Sequence, residues 1–144
     1  MSRGVTGLDH VALTVVDLDR AGEFYERVLG AELVAQYPPE GDALVRSYRL
    51  GDAVVNLHRQ GNGVDLVARV PTPGSADFCL RWAGTAETAV AHLRARGVEV
   101  IEGPVPRVLA DGRPGSSVYL RDPDGNLVEL MSVARSPSAA AGVR

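Results

Sequence analysis

Apolar and polar side chains alternate along residues 8–15, Leu-Asp-His-Val-Ala-Leu-Thr-Val. A period of two predicts a β-strand with one buried face and one polar face. The spacing then changes to that of an amphipathic helix, which either Asp17 or Asp19 is placed to cap and which ends at Gly30. Turn signals divide the apolar stretches that follow into three further strands, predicted at about 32–37, 44–50 and 53–59.

The second half of the chain repeats this order of elements. Residues 77–82 alternate in the same way, and a second apolar helical stripe ends at Gly97. The same offset of 67 positions separates His10 from Asp77 and Gly30 from Gly97. This shared offset predicts an internal duplication, although two glycines can also coincide by chance in a generic α+β domain. The remaining strands are predicted near 98–102, 116–121 and 126–132.

The length and the turn residues set the domain organisation. A chain of 144 residues fits one domain, predicted at 1–133, with modules at about 7–59 and 75–132. Residues 60–74 contain several Gly and Pro and predict a linker, whereas 134–144 show no packing pattern and predict a disordered tail. We therefore expect an α+β fold built from two βαβββ modules.

Composition and charge exclude several classes of function. The chain has no Lys, its Arg residues are scattered, and its net charge is −3, which argues against a nucleic-acid partner. No apolar run is long enough to cross a bilayer, so no membrane association is expected. The single cysteine, Cys79, excludes an internal disulfide and is typical of a reducing compartment, so we expect a cytoplasmic location.

Four side chains with metal-ligand chemistry fall on strand faces that point away from the apolar, helix-facing side. They are His10 and His58 in the first module and Asp77 and Glu129 in the second. Two imidazoles and two carboxylates suit a divalent ion, because the carboxylates neutralise its charge. Taken singly, each residue also has a structural interpretation as a hydrogen-bonded strand histidine, a surface carboxylate or a turn cap. Their occurrence in both repeats favours a metal site.

Other polar residues have simpler interpretations. The stretch Asp122-Pro-Asp-Gly-Asn126 predicts a tight turn, and the rest of the EF-hand ligand pattern is absent. Tyr119 is interpreted as a wall or core residue. Four arginines could bind an anionic substrate, although a solvated rim position is the default interpretation of each: Arg59, Arg81, Arg107 and Arg113.

Three stretches of the sequence resemble the signatures of the vicinal oxygen chelate superfamily, which includes glyoxalases, bleomycin resistance proteins and extradiol dioxygenases. They are Leu-Asp-His-Val at 8–11, Phe-Tyr-x-x-Val-Leu-Gly at 24–30, and Asp-Pro-Asp-Gly-Asn-Leu-Val-Glu-Leu at 122–130. Further segments at 56–58, 73–79 and 102–107 are similar to the glyoxalase domain-containing protein 5 subfamily. The resemblance implies two paired βαβββ modules that form an open, cup-like, eight-stranded mixed sheet.

The resemblance also implies that His10 and Glu129 are metal ligands. Two positions differ from the glyoxalase I pattern, since Asn56 stands where that enzyme has a glutamate and Asp77 where many members have a histidine. His58 lies two residues beyond Asn56 on the same strand face. No residues can be matched to the positions that bind glutathione in glyoxalase I.

The leading expectation is therefore a metal-dependent enzyme that acts on a small substrate with vicinal oxygens. The ion would be divalent Zn, Ni, Mn, Co or Fe, and Glu129, or Asp77 if it leaves the metal, would be the base for isomerase, epimerase or lyase chemistry. The first alternative is a non-haem iron dioxygenase that uses His10, His58 and Glu129. The second is a non-catalytic drug-binding protein of the bleomycin-resistance kind. Members of the superfamily commonly dimerise, so a homodimer is also expected.

Overall fold

A computed structural model describes residues 4–133 of the chain. Its internal contacts divide the chain into two compact units, with the boundary after Gly74. The predicted disordered tail at 134–144 lies outside the described residues. None of the helices in the described range is long and apolar enough to cross a membrane.

The first unit is a βαβββ module. Its sheet has the strand order β1-β4-β3-β2, in which β1 is parallel to β4 and the other pairs are antiparallel. The elements are β1 (His10–Val15), α1 (Leu18–Leu29), β2 (Glu32–Tyr37), β3 (Val45–Leu50) and β4 (Ala53–Arg59).

Local sequence explains how this unit folds. Asp17, not Asp19, caps α1, because its side chain accepts a hydrogen bond from the backbone N–H of Arg20 at 3.0 Å. Gly30 ends the helix with a φ of 71°, a left-handed conformation that glycine adopts without strain. The helix-facing positions of the strands are buried as the alternation predicts, with Val15 and Leu57 both fully inaccessible.

The second unit repeats the module. Its sheet has the equivalent order β5-β8-β7-β6, with β5 parallel to β8. Two βαβββ modules are thus confirmed, and the eight strands form two four-stranded mixed sheets. The elements are β5 (Asp77–Trp82), α2 (Ala86–Ala95), β6 (Glu102–Val108), β7 (Pro114–Arg121) and β8 (Leu127–Ser132).

The prediction of the sixth strand was wrong. A strand was expected near 98–102, but β6 covers Glu102–Val108 and includes Pro104 and Pro106. Proline usually argues against a strand because it lacks the N–H donor, yet it is tolerated on an edge strand. β6 is such an edge, and its pairing with β7 shifts register between Glu102 and Val105, where Gly103 has a φ of 107°.

A polar clasp fixes the position of β5 beside β8. The side-chain oxygen of Asn126 accepts a hydrogen bond from the backbone N–H of Ala76 at 2.8 Å, and the N–H of Leu127 donates to the Ala76 carbonyl at 3.0 Å. Asn126 in turn donates its side-chain N–H to the Asp122 carboxylate at 2.7 Å, and both side chains are buried. Since 50 residues separate Ala76 from Asn126, no short turn sets this register, and the clasp does so instead.

Replacing Asn126 by Ala is expected to destabilise the protein by roughly 1–3 kcal/mol, because the Asp122 carboxylate and the Ala76 N–H both lose a partner. The free energy of unfolding from urea titrations measures the effect. Asn62→Ala is the matched control, because Asn62 makes its two side-chain hydrogen bonds in a loop and is only part-buried. An equal loss in both variants would contradict a special role for the clasp.

Candidate active site

The face of the second sheet that carries Glu129 is called the open face here. On neighbouring strands, Glu129 is paired with Cys79 of β5 and with Tyr119 of β7. Their side chains share one face because paired residues in a sheet point the same way. The alternate residues Val128 and Leu130 are buried on the opposite face, as the sequence predicts.

Asp77 lies on the same face, one strand away from Glu129. Its partner on β8 is Leu127, two residues before Glu129. With strands about 4.8 Å apart and a rise of about 3.3 Å per residue, the two Cα atoms are about 8 Å apart. The register therefore makes the two predicted acidic residues diagonal neighbours in one unit.

A cavity of about 480 Å³ opens on this face. Its charged lining consists of three carboxylates and two guanidinium groups, so the cavity is mildly acidic rather than uniformly charged. The lining residues are Asp77, Ile101, Glu102, Arg107, Tyr119, Arg121, Leu127 and Glu129.

One oxygen of the Glu129 carboxylate, Oε2, is buried without a hydrogen-bond donor or a cation among residues 4–133. A buried carboxylate oxygen without a donor is costly, and it is stabilised by a cation or by a proton. Glu129 by itself therefore has the chemistry of a ligand for a divalent ion. Over the described range, however, no three His, Cys, Asp or Glu side chains are grouped as a complete ligand set.

Cys79 is an exposed thiol that pairs with Glu129 on the open face. Partial desolvation and the neighbouring Glu129 carboxylate raise the pKa of the Cys79 thiol to about 11. The thiol is therefore protonated at pH 7, whereas reactive cysteines are thiolates. Its contribution to the open face is a small, weakly polar side chain.

Arg107 and Tyr119 form a pair at the cavity. The Arg107 Nε donates a hydrogen bond to the Tyr119 hydroxyl oxygen at 2.9 Å, and the guanidinium carbon lies 5.5 Å from the centre of the tyrosine ring. From the sequence, Arg107 was interpreted as a solvated rim residue and Tyr119 as a wall or core residue. Alternation along residues 102–108 could have indicated that Arg107 lies on a strand face, but Pro104 and Pro106 argue against a strand there.

In the first unit, His10 begins β1 and is about half exposed. Its Nδ1 lies 2.7 Å from a carboxylate oxygen of Asp9. A carboxylate accepts only, so Nδ1 carries the hydrogen, and Nε2 has the lone pair. Histidine ligands of metals are commonly oriented by such a carboxylate.

His58 is on the same sheet face as His10 but at the other end of the strand pair. It is paired with Thr14, four residues along β1 from His10, which corresponds to about 13 Å. Its Nδ1 is buried without a partner in the described residues, beside a separate cavity of about 120 Å³ in this unit. Burial lowers the pKa of the His58 imidazole, which is therefore neutral at pH 7. The register does not bring the two histidines together.

The residue of the first unit that corresponds to Glu129 is Asn56. It is paired with the third residue of β1, as Glu129 is paired with the third residue of β5. The Asn56 side-chain oxygen accepts a hydrogen bond of 2.6 Å from the Ser47 hydroxyl. The first module therefore has an amide oxygen that accepts a hydrogen bond where, within residues 4–133, the second has a carboxylate oxygen without a donor.

The fold agrees with a known superfamily. The family model described as Glyoxalase/Bleomycin resistance protein/Dioxygenase superfamily matches residues 7–130. The chain belongs to this superfamily.

Three similar proteins illustrate the range of its relatives. Glyoxalase domain-containing protein RDO1 of Mycosarcoma maydis is 41% identical over 89% of this chain and 69% of its own. An ethylmalonyl-CoA/methylmalonyl-CoA epimerase of Cereibacter sphaeroides is 31% identical over 88% of this chain and 97% of its own. The solved structure of integron cassette protein VCH_CASS1 from V. cholerae has a TM-score of 0.83 and 35% identity, and the match covers 93% of this chain and 100% of that one.

Proposed function

We propose that this protein is a metal-dependent enzyme that moves a proton at a carbon next to a carbonyl group, in epimerase, isomerase or lyase chemistry. The observation that carries the proposal is the buried, unpartnered Oε2 of Glu129 in a cavity of about 480 Å³. An epimerase among the relatives supports this class of reaction.

The carboxylates and imidazoles have separate roles in the proposal. Glu129 and Asp77 hold the divalent ion or move the proton, and His10 is the imidazole ligand favoured by its Asp9 partner. His58 completes the set predicted from the sequence, although its distance from His10 along the strands gives it the weakest support. A divalent ion bound by such residues supplies Lewis-acid stabilisation of negative charge on a substrate oxygen.

Within this proposal, the chain itself performs the proton transfer. Glu129 is the favoured base, because it lines the cavity and its Oε2 accepts no hydrogen bond from any residue in 4–133. Asp77, exposed at the start of β5, is the second candidate. Tyr119 and Leu127 form part of the cavity wall.

Metal binding is expected to raise the melting temperature by several degrees, since an ion at about 100 times its Kd adds about 2.7 kcal/mol of stability. Thermal unfolding of chelator-treated protein would be measured with Zn²⁺, Ni²⁺, Mn²⁺, Co²⁺ and, without oxygen, Fe²⁺. Glu129→Gln and His10→Ala should lose the increase, and the exposed Glu32→Gln on β2 is the control. If metal ions raised the melting temperature of both site variants as much as that of the wild type, the metal site would be contradicted.

Proton transfer is expected to appear as exchange of a substrate C–H with solvent deuterium. The panel would contain methylmalonyl-CoA, named for the epimerase relative, and dihydroxyacetone, with exchange followed by NMR in D₂O. Removal of the base should slow exchange at least 100-fold, so comparison of Glu129→Gln with Asp77→Asn identifies it. Oxygen uptake with catechols on the iron-loaded protein, without deuterium exchange, would instead support the dioxygenase alternative.

A homodimer is also proposed, because β2 is a sheet edge that exposes Leu33, Val34 and Tyr37. Edges of this kind are usually covered in native proteins. Light scattering should give about twice the chain mass of 15.2 kDa. A monomer at tens of micromolar, roughly the range in which specific interfaces persist, would contradict the dimer.

A further inference from the structure

We infer that Arg107, held by Tyr119, binds a carboxylate of the substrate, so that the substrates are small carboxylic acids whose reacting carbon lies close to that carboxylate. The inference rests on the proposed function for the identity of the reacting carbon. The binding step itself is independent of the metal and of the chemistry.

Arg107 has donors that the protein does not use. A guanidinium group has five N–H donors. Within residues 4–133, one is directed to the Tyr119 hydroxyl and one, from Nη1, to the Pro106 carbonyl at 2.8 Å. Three N–H groups of this exposed, cavity-lining arginine therefore remain without an acceptor among the described residues. No carboxylate of those residues is within ion-pair distance of Arg107.

Tyr119 supplies a further donor. Because its oxygen accepts from Arg107, its own O–H hydrogen is available to an anion. The contact between ring and guanidinium also restricts the arginine, so less conformational entropy is lost when a ligand binds. Together the two side chains form a preorganised set of donors, which suits a planar carboxylate.

The register relates this anion site to the candidate base. Tyr119 and Glu129 are direct partners on adjacent strands, so their Cα atoms are about 4.5–5.5 Å apart. Glu129 lines the same cavity as Tyr119 and Arg107 and interacts electrostatically with Arg107. A carboxylate bound at Tyr119 and Arg107 therefore leaves the carbon beside it in the cavity that Glu129 lines. The substrate class is a small acid with a transferable hydrogen one or two bonds from its carboxylate.

The charge of the cavity favours a carboxylate over a phosphate. Glu102 and Glu129 both interact electrostatically with Arg107, and both line the cavity. A phosphate carries nearly two negative charges at pH 7, so these two carboxylates repel it more than they repel a carboxylate with a single charge.

The test uses isobutyrate, which has one carboxylate and no vicinal oxygens, and the neutral isobutyramide. Both are titrated into full-length, chelator-treated protein, and the NMR signals of the Arg107 Nε–H and the Tyr119 ring are followed. Isobutyrate is expected to bind saturably, at least tenfold more tightly than isobutyramide. Arg107→Gln should abolish this preference, Arg107→Lys should weaken isobutyrate binding about tenfold, and Tyr119→Phe should weaken it less.

Arg94→Gln on α2 is the matched control, because Arg94 does not line the cavity. Equal binding of acid and amide, an unchanged preference in Arg107→Gln, or the same loss in Arg94→Gln would overturn the inference. Tighter binding of inorganic phosphate would overturn the assignment to carboxylates. Failure of deuterium exchange with intact isobutyrate binding would remove the proposed reaction alone, and the reverse result would remove the anion site alone.

Discussion

The candidate site depends on one constraint, the parallel register of β5 and β8. Parallel neighbours cannot be joined by a tight turn, and here α2, β6 and β7 lie between β5 and β8 in sequence. The Asn126 clasp to Ala76 fixes their alignment at the first residue of each strand. Since the side-chain period of a strand is two, a slip of one residue would turn Glu129 into the core and Val128 onto the open face. Polar residues in a loop thus determine which side chain faces the cavity.

The two modules show how one register supports different chemistry. Asn56 and Glu129 occupy equivalent positions, but the first is satisfied by Ser47 and the second has a buried oxygen without a partner. An amide oxygen that already accepts a hydrogen bond stabilises the sheet and is a weak, uncharged ligand for a cation. A carboxylate in the same position stabilises the sheet less and is available to an ion or a proton. Both modules have the same fold, and of these two positions only that of Glu129 carries the unmet charge.

Much of the fold could be predicted from the sequence, because alternation and helical spacing are local properties. The bounds of β5, the cap at Gly30 and the buried faces of β4 and β8 agree with those patterns. β1 begins at His10, two residues after its predicted start at Leu8. The equivalence of Asn56 and Glu129 could not be predicted, since it depends on pairing between strands that loops of different length connect. The sequence favoured His58 because histidine is the more familiar ligand, whereas the register places it beyond the equivalent position.

Arg107 was concealed for a different reason. Pro104 and Pro106 made its stretch look irregular, and an arginine outside a recognised element has no predictable direction.

The same prolines have a consequence for assembly. Two of the seven residues of β6 cannot donate a backbone hydrogen bond, so this edge is a poor template for an added strand. β5 is the other edge of the second sheet. Any extension of this sheet by strand pairing would therefore occur along β5, where the incoming backbone would lie beside Asp77. Because Asp77 also lines the cavity, a ligand bound there would affect such pairing.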